Sequence, residues 1–522
     1  TMKMKKIILG LAVSATMRTT SCDMDTTNYG IIDQGNAIES VDDCHSFVNG
    51  IYTYLRAKGS GTWLNNQDIQ MDQFVGLVDN GNRHGLMSDG TFTASDQDLT
   101  NLFYNLYIQV KAANYFVPKA DALLENPAIS DTDKARIKYY KATAMFARAY
   151  AYWYLFDKYV DYKESDLDAP AEGLPIELTY NPSGDRSTYV GRSTIRETVT
   201  YINGQLKDAY DLMKEYETNV SAANCNPNAI YVSSYAIAAL QARFALLTED
   251  YATALDKAEL VINSGNYELC DIDAYADMWV NDESSELILV GSAQRGEGGV
   301  DVGTAYYTNN KKETSDYIPT FDVLMSYDDG DCRFDTFFEL YDMVVGGNNY
   351  YAFAFTKFPG NPALDTNTGV NSCLQKAKLF RLSEMYLVAA EAAAMPGTQK
   401  NETKANSYLN DLRGKRIQGY EAVTYSGNAL INAIRAERGK ELIGEGFRLS
   451  DIRRWGNGFT REAGFENFAG TSLAPLADIM EVVLNKTNNV SYQAGDYRLI
   501  WPIPTREMQT NPQLAGQQNP RY

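Results

Sequence analysis

Two segments of the chain repeat apolar side chains at alternating spacings of three and four residues. In the segment from Asp131 to Val160 they are Tyr139, Ala142, Phe146, Ala149, Trp153, Phe156 and Val160. In the second segment they are Leu379, Leu382, Tyr386, Ala389 and Ala393, followed by Pro396-Gly397. This spacing places the apolar side chains on one helix face, where small alanines between large rings allow a partner helix to approach closely. The pattern therefore predicts paired helices, and Ser130 or Asp131 can cap the first.

Further helical patterns extend over most of the chain outside one central segment. They cover residues 40–56, 99–125, 194–216, 231–247, 251–263, 403–416 and 429–444. Ala-rich seams and short links that contain Gly or Asn are typical of helical hairpins of the tetratricopeptide type, although no clean consensus recurs here at a fixed period. We therefore expect degenerate helical-hairpin repeats.

The segment 265–374 differs from its surroundings in being rich in turn residues. GEGG, DDGD and GGNN begin at Gly296, Asp328 and Gly346, and strand-like runs cover 286–290 and 350–357. Turn residues between short strands predict a lobe made largely of loops. The expected fold class is mainly α: a tetratricopeptide-like helical-hairpin scaffold at about 36–264 and 375–460, an inserted loop-rich lobe with short β strands, and an irregular C-terminal segment, 461–522.

Residues 1–21 have the layout of a bacterial export signal. Lys3, Lys5 and Lys6 precede an apolar run, 7–13, that is too short to span a bilayer. Small and polar residues then lead to Cys22, a position that indicates a lipoprotein whose Cys22 is acylated and becomes the first mature residue. Thr19 stands where such signals usually have an apolar residue, so cleavage without lipidation is the alternative. No other segment reaches the length of a membrane span, so the lipid is the only expected membrane attachment.

The balance of charge argues against nucleic acid as a partner. The 47 Lys and Arg residues are outnumbered by 67 Asp and Glu residues, which gives a formal net charge of −20. Loss of residues 1–21 removes four positive charges and brings the net charge to −24. Proteins that bind nucleic acid gain affinity by neutralising phosphates with Lys and Arg, and an acidic surface repels phosphates and anionic headgroups.

Motifs for catalysis, cofactors and metals are largely missing from the sequence. His45 and His84 are the only histidines, so a three-histidine metal site is excluded. The six cysteines include no CxxC motif, which argues against a zinc ribbon and a disulfide framework. GxSxG, GxxxxGK[ST] and a GxGxxG after a strand are likewise absent. No cofactor is expected; the acidic run 328–331 could hold Ca²⁺, but it lacks EF-hand spacing and we interpret it as solvated.

Charged residues are densest between Arg435 and Arg454. They are Arg435, Glu437, Arg438, Glu441, Glu445, Arg448, Asp451, Arg453 and Arg454. On a helix, residues three or four positions apart lie on one face and can form ion pairs. One interpretation is a network that holds the last helices together, and the alternative is a site for an anionic ligand.

Four runs of residues resemble the SusD/RagB family of outer-membrane nutrient-uptake lipoproteins. They are RAERGKELIGEGFRLSDIRRW (435–455), RLSEMYLVAAEAA (381–393), LNDLRGKR (409–416) and the ending WPIPTREMQTNPQL…QNPRY (501–522). The resemblance implies four tetratricopeptide-like helix pairs with an irregular lobe that carries the ligand site. It also implies a non-catalytic, cell-surface protein, anchored at Cys22 in the outer membrane, that passes an oligosaccharide to a SusC-like TonB-dependent transporter.

A sugar-binding site needs an aromatic ring for the C–H face of a pyranose and planar polar groups for its hydroxyls. Among the five tryptophans, only Trp63 belongs to neither an apolar stripe nor a family motif. Its neighbours Asn65, Asn66 and Asp68 are polar, so we expect a loop with Trp63 as the platform, and simple packing of the ring within the loop is the alternative. Arg83, near Asn80 and Asn82, can add a bidentate contact.

The resemblance to the family places the other side of the site in the lobe after the strand at Glu286. The matching rings and amides there are Tyr306, Tyr307, Asn309 and Asn310. Tyr350 and Tyr351 form a weaker third patch. Two other functions stay open: uptake of peptides, as proposed for the RagB branch, and glycoside hydrolysis by a pair of carboxylates that 67 acidic residues would conceal.

Overall fold

The computed structural model describes residues 37–77, 83–163, 166–220, 230–297, 299–309, 313–345, 347–366, 372–461 and 489–522. The export signal, Cys22, Asn80, Asn82 and Asn310 lie outside these ranges. For Tyr350 and Tyr351 only the backbone is described.

Helices make up most of the described chain, as the apolar periodicity predicts. In the first half they are α1 (Val41–Ala57), α2 (Gly61–Ile69), α3 (Gly85–Asp89), α4 (Gln97–Glu125), α5 (Asp131–Tyr159), α6 (Ile195–Asn219), α7 (Ser234–Leu247) and α8 (Tyr251–Ile262). In the second half they are α9 (Asp277–Val280), α10 (Phe321–Leu324), α11 (Cys332–Phe337), α12 (Leu382–Ala394), α13 (Glu402–Gly414), α14 (Gly427–Glu441), α15 (Arg448–Trp455) and α16 (Thr505–Thr510). The predicted fold class, a mainly α protein with few short strands, is confirmed.

Short links join the long helices into hairpins. Helix α5 packs against α4 on one side and α6 on the other, α7 packs against α8, and α12 packs against α8 and α13. The Ser130 hydroxyl accepts a hydrogen bond from the backbone N–H of Asp133 and so caps α5, as predicted. The hairpins bury one hydrophobic core that runs through the scaffold.

The second half of α5 is buried on all sides, which the single predicted stripe did not anticipate. Every residue from Ala142 to Tyr159 is buried, Arg148 and Asp157 included. Polar groups on this helix are satisfied locally: the Arg148 Nη1 donates to the Asn114 Oδ1 at 2.7 Å, and Lys158 forms an ion pair with Asp157 at 2.6 Å. Helix α5 is therefore a central helix of the scaffold, surrounded by its neighbours.

The described strands pair two by two. They are β1 (Phe74–Gly76), β2 (Leu287–Val290), β3 (Thr308–Asn309), β4 (Glu313–Thr314), β5 (Tyr317–Pro319), β6 (Phe338–Val345), β7 (Asn348–Phe355), β8 (Lys378–Arg381), β9 (Phe459–Arg461) and β10 (Val490–Tyr492). The antiparallel pairs are β1 with β5, β2 with β8, β3 with β4, β6 with β7, and β9 with β10. Leu379 therefore lies in a strand, and the expectation that it begins a helix is wrong: its backbone pairs with β2, and α12 begins at Leu382.

A buried ion network joins the lobe to the scaffold. Glu441, at the end of α14, accepts from Arg333 at 3.0 Å, from Arg381 at 2.5 Å and from Arg416 at 3.1 Å. Arg416 also reaches Glu286 at 2.6 Å. These three guanidiniums hold the pKa of Glu441 well below its usual range, although burial opposes them. The interpretation of the charge-rich run as a network that holds the last helices together is confirmed at Arg438 and Asp451, which join α14 to α15 at 2.8 Å, whereas Glu441 pairs with three arginines from outside the run.

Two further features of the described chain concern its helices and its cysteines. Within the described ranges, no helix combines the length and apolar character needed to cross a bilayer. Cys44, Cys270, Cys332 and Cys373 are free thiols.

Candidate ligand-binding surface

Trp63 lies inside helix α2, and the expectation that it stands in a loop is wrong. Its side chain is 5% exposed, its ring packs edge-on against Tyr154 at 5.2 Å, and the Lys58 Nζ lies 3.7 Å from the ring centroid. The Gln67 side-chain amide and the Tyr154 hydroxyl both donate to the Trp63 carbonyl. With its ring enclosed in this way, Trp63 cannot serve as a sugar platform.

The polar neighbours of Trp63 are buried too, and they connect α2 to the elements around it. Asn65 donates to the Val302 carbonyl at 3.4 Å, and Asn66 donates to the Thr62 carbonyl at 3.0 Å. The Asp68 carboxylate accepts from the backbone N–H of Gly446 at 2.7 Å. Burial raises the pKa of Asp68 to about 7. These three side chains are 0–1% exposed, so their expected contacts with a ligand are wrong in this structure.

Tyr306 is a core residue, and its expected role as a binding ring is also wrong. It is fully buried, with its ring centroid 4.6 Å from that of Phe74 and 5.0 Å from that of Phe355. The turn before it, Val302–Ala305, passes so close to the next segment that a Cβ on Gly303 would lie 2.1 Å from the Phe358 carbonyl oxygen. Only glycine fits at this position. Tyr306, which follows the same turn, points into the core.

Tyr307 follows Tyr306 and remains partly exposed. Its ring stacks on that of Tyr341 with centroids 4.6 Å apart and an angle of 17° between the planes. Tyr341 lies on β6, which runs beside β4, and its hydroxyl donates to the Glu339 carboxylate at 2.5 Å. Burial raises the pKa of both tyrosines, so their hydroxyls stay protonated at neutral pH. The pair offers two adjacent amphipathic rings at the surface of the lobe.

Asn309 and Arg83 complete this surface, which we call the tyrosine surface (Arg83, Tyr307, Asn309, Glu313 and Tyr341). Asn309 is exposed on the β3–β4 hairpin, with its amide 3.5 Å from the Glu313 carboxylate. The Arg83 Nη1 donates to the Thr304 carbonyl at 2.6 Å and lies 3.2 Å from the Asp316 carboxylate, while 47% of the side chain is exposed. Arg83 thus contacts the turn that leads into Tyr307.

Tyr341 is a residue of this surface that the sequence analysis missed. It pairs with Ala352 across the β6–β7 ladder and lies 34 positions after Tyr307 in the chain. Tyrosines are common throughout the sequence, so the signal that could have found it is weak: a tyrosine in a strand pattern of the lobe.

The acidic run 328–331 forms ion pairs with the protein's own cations. Asp328 lies 2.9 Å from Arg413 and 3.0 Å from Lys440, and Asp331 lies 2.7 Å from Arg333. The interpretation of this run as solvated holds for Asp328, whose side chain is 46% exposed, and is wrong for Asp331, which is buried. Groups of three or more His, Cys, Asp or Glu side chains suited to a metal ion do not occur among the described residues.

Comparison with known protein families and solved structures gives consistent matches. A model described as the SusD family matches residues 339–522, and one described as starch-binding associating with outer membrane matches residues 32–246. Together these ranges take in well over half of the chain. A search of curated proteins found no match.

Three solved structures have the same fold as this chain. A SusD superfamily protein from Bacteroides thetaiotaomicron is 24% identical, with a TM-score of 0.73, and the alignment covers 92% of this chain and 100% of that one. A SusD-like carbohydrate binding protein from Bacteroides vulgatus is 19% identical, with a TM-score of 0.71 and coverage of 92% and 98%. Surface glycan-binding protein A from Bacteroides fluxus is 17% identical, with a TM-score of 0.67 and coverage of 92% and 99%. The chain belongs to the SusD family.

Proposed function

We propose that this protein binds oligosaccharides at the cell surface and passes them, chemically unchanged, to a SusC-like TonB-dependent transporter of the outer membrane. The observation that carries the proposal is the tyrosine surface, where stacked rings lie beside an exposed amide and a half-exposed guanidinium. Rings pack against the C–H face of a sugar, while amide, guanidinium and carboxylate groups bond its hydroxyls. Binding is thereby assigned to the lobe, 265–374, with Arg83 contributed by the scaffold.

Location and transport are supported by the family and by the N-terminus. One matching family model is described as starch-binding and associating with outer membrane, and one structural relative is named a surface glycan-binding protein. Residues 1–21 have the layout of an export signal, and Cys22 follows at the position of a lipidated cysteine. We propose that the lipid on Cys22 holds the protein at the outer surface, where it meets both glycan and transporter.

The absence of catalysis is part of the same proposal. The His84 Nδ1–H donates to the Asp98 carboxylate at 3.0 Å, a contact that fixes its ring beside the start of α4, and the sequence contains no GxSxG nucleophile motif for it to activate. We therefore expect no release of reducing ends when the protein is incubated with a polysaccharide that it binds. Measurable release would overturn the non-catalytic assignment and favour a glycoside hydrolase.

The test is affinity electrophoresis through gels that contain a panel of plant, microbial and host polysaccharides. Wild-type protein should be retarded by at least one of them, and Tyr307→Ala or Tyr341→Ala should each weaken retention about 3- to 10-fold, since an aromatic contact contributes about 0.5–1.5 kcal/mol. Tyr231→Ala, which removes a tyrosine that is 43% exposed elsewhere on the surface, is the matched control and should bind normally.

Two results would contradict the proposal. Retention that is equal in wild type and in both tyrosine variants would remove the tyrosine surface from the binding site. Lack of retention by every polysaccharide, together with binding of a peptide mixture, would favour the peptide-uptake alternative.

A further inference from the structure

A cavity of about 650 Å³ lies apart from the tyrosine surface. The two regions are at opposite ends of the β1–β5 ladder: Arg83 contacts Asp316 beyond one end, and Gln73 and Thr320 line the cavity at the other. Its walls come from α14, α15, β9 and the segment 320–327. This volume is in the range of small-ligand sites.

The described lining of this cavity carries more positive than negative charge, although the chain as a whole has a net charge of −20. Its cations are Arg435, Lys440, Arg448 and Arg461, and its carboxylates are Asp72 and Asp322. The Asp72 carboxylate is neutralised by Arg448 through two contacts of 2.7 Å. The cavity is therefore an electropositive region within an acidic protein.

Arg435 is the cation of this cavity whose charge is not balanced. Lys440 is paired with Asp328 at 3.0 Å, whereas Arg435 makes no hydrogen bond or ion pair with any residue that the structure describes. Its guanidinium lies 5.1 Å from the ring centroid of Trp455, and its Nε is buried without a partner. Burial lowers the pKa of Arg435, because a buried cation without a counterion is unfavourable.

The carboxylate with the largest electrostatic effect on Arg435 is that of Glu391, and it is already paired with another cation. The Glu391 carboxylate forms an ion pair with Arg454 at 2.6 Å and accepts a hydrogen bond from the Trp455 indole N–H at 2.9 Å. The exposed amides of Asn432 and Asn457 also line the cavity and can bond hydroxyls. An anionic group with hydroxyls around it would satisfy all three side chains.

We propose that this cavity binds the carboxylate of an acidic sugar, with Arg435 as its counterion and Asn432 and Asn457 on the neighbouring hydroxyls. The inference rests on the proposed function and names a ligand class for it, saccharides that carry a carboxylate. An oligosaccharide with a single acidic residue fits better than a polyanion, since the surrounding net charge of −20 repels each further negative charge.

Matched pairs of ligands test the inference on the wild-type protein. 3′-Sialyllactose and its methyl ester, and an aldotetraouronic acid and its methyl ester, each differ only in whether a single carboxylate is charged. Isothermal titration calorimetry at low salt should give about tenfold tighter binding for at least one acid than for its neutral counterpart, because hydrogen bonds to charged groups are strong. Equal binding within both pairs would overturn the inference, and this comparison needs no variant.

Arg435→Met then locates the effect. The preference for the acid should fall to within about twofold, while binding of the neutral counterpart is unchanged. Arg186→Met removes an equal charge from an exposed turn and is the control. A preference that survives in Arg435→Met, or that is lost in Tyr307→Ala instead, would overturn the inference. If acetate at the same concentration displaced the acidic sugar completely, the cavity would be a site for simple anions, and the inference would be overturned.

The two proposals fail in different ways. Weaker binding of every glycan in Tyr307→Ala and in Tyr341→Ala, with an acid preference that persists in these variants and depends on Arg435, supports both. Neutral glycans that bind through the tyrosines, with no preference for acids, leave the proposed function intact and overturn the inference. Failure of every neutral and acidic glycan to bind contradicts both.

Discussion

At the scale of single residues, Trp63 has polar neighbours in the sequence, but its ring is buried in the hydrophobic core. It lies against Tyr154 within the core, so we expect Trp63→Ala to lower the free energy of unfolding by about 3–5 kcal/mol. Chemical denaturation measures this loss, and Trp63→Phe, which keeps a ring, should lose less. A Trp63→Ala protein with normal stability and weakened glycan binding would instead make Trp63 a ligand contact.

Lys58, beside Trp63, gives a prediction about pH. Burial lowers the pKa of Lys58 to about 7, whereas in the unfolded chain it stays protonated up to about 10.4. Between these values the unfolded state binds more protons, so this lysine makes the folded state more stable as the pH rises from 7 to 10. Lys58→Met should therefore raise the free energy of unfolding most at pH 6 and least near pH 10. The difference between variant and wild type, measured at pH 6, 8 and 10, checks this; a difference that is constant across pH would contradict it.

Only some residues of the tyrosine surface could be predicted from the sequence. Arg83, Tyr307 and Asn309 are predicted residues that the structure brings to one surface, whereas Tyr306, the immediate neighbour of Tyr307, points into the core. Residue type alone cannot separate the two tyrosines, because Tyr306 is buried by rings from distant segments, Phe74 and Phe355. The sequence also cannot show that Arg435 lacks an ion-pair partner. Which arginines of a charge-rich run form ion pairs depends on carboxylates from distant segments of the chain.

At the scale of elements, periodicity recovers the long helices and misses the short ones. Helix α5 was predicted to start at Asp131 and does so, because its apolar spacing extends over many turns. Helix α2 has polar residues on every face, and their partners, such as Gly446 and Val302, come from remote parts of the chain. Such a helix is stabilised by tertiary contacts, so no periodic pattern in the local sequence predicts it.

Glu441, at the end of helix α14, is expected to be important for the stability of the fold. Glu441→Gln leaves three buried guanidiniums without their shared carboxylate, so the free energy of unfolding should fall by about 3–5 kcal/mol. Asp168→Asn, in an exposed pair with Arg196, is the control and should change it by less than about 1 kcal/mol. Denaturation midpoints measure both changes, and equal effects would contradict the central role of the network.

The pH dependence of the same network has a definite sign. Because the folded-state pKa of Glu441 lies well below the unfolded value of about 4.3, its contribution is fully present above that value. It is lost as the pH falls further, through the folded-state pKa. Glu441→Gln should therefore resemble wild type more closely in strong acid than at pH 7, and a gap that widens in acid would contradict this assignment.

At the scale of the whole molecule, the net charge bears on the proposed anchor at Cys22. Without the proposed signal, residues 1–21, the chain has a net charge of −24, which an anionic surface repels, so adsorption alone would not hold it at the membrane. We expect Cys22→Ser to release the protein from the membrane fraction and to abolish labelling by radioactive palmitate. Fractionation of cells that express each form measures this, and retention of the unlabelled variant in the outer membrane would contradict the lipid anchor.

The pairing of the described strands, two by two, has a consequence for how this protein can change over generations. A strand inside a wide sheet has neighbours on both edges, and an insertion beside it disturbs them all. The β3–β4 hairpin is bonded along only one edge of each strand, so its connecting loop can lengthen or change composition without shifting the register of another ladder. Under the proposed function, new ligand preferences can therefore arise by changes in this hairpin, while the helical scaffold that supports it is inherited intact.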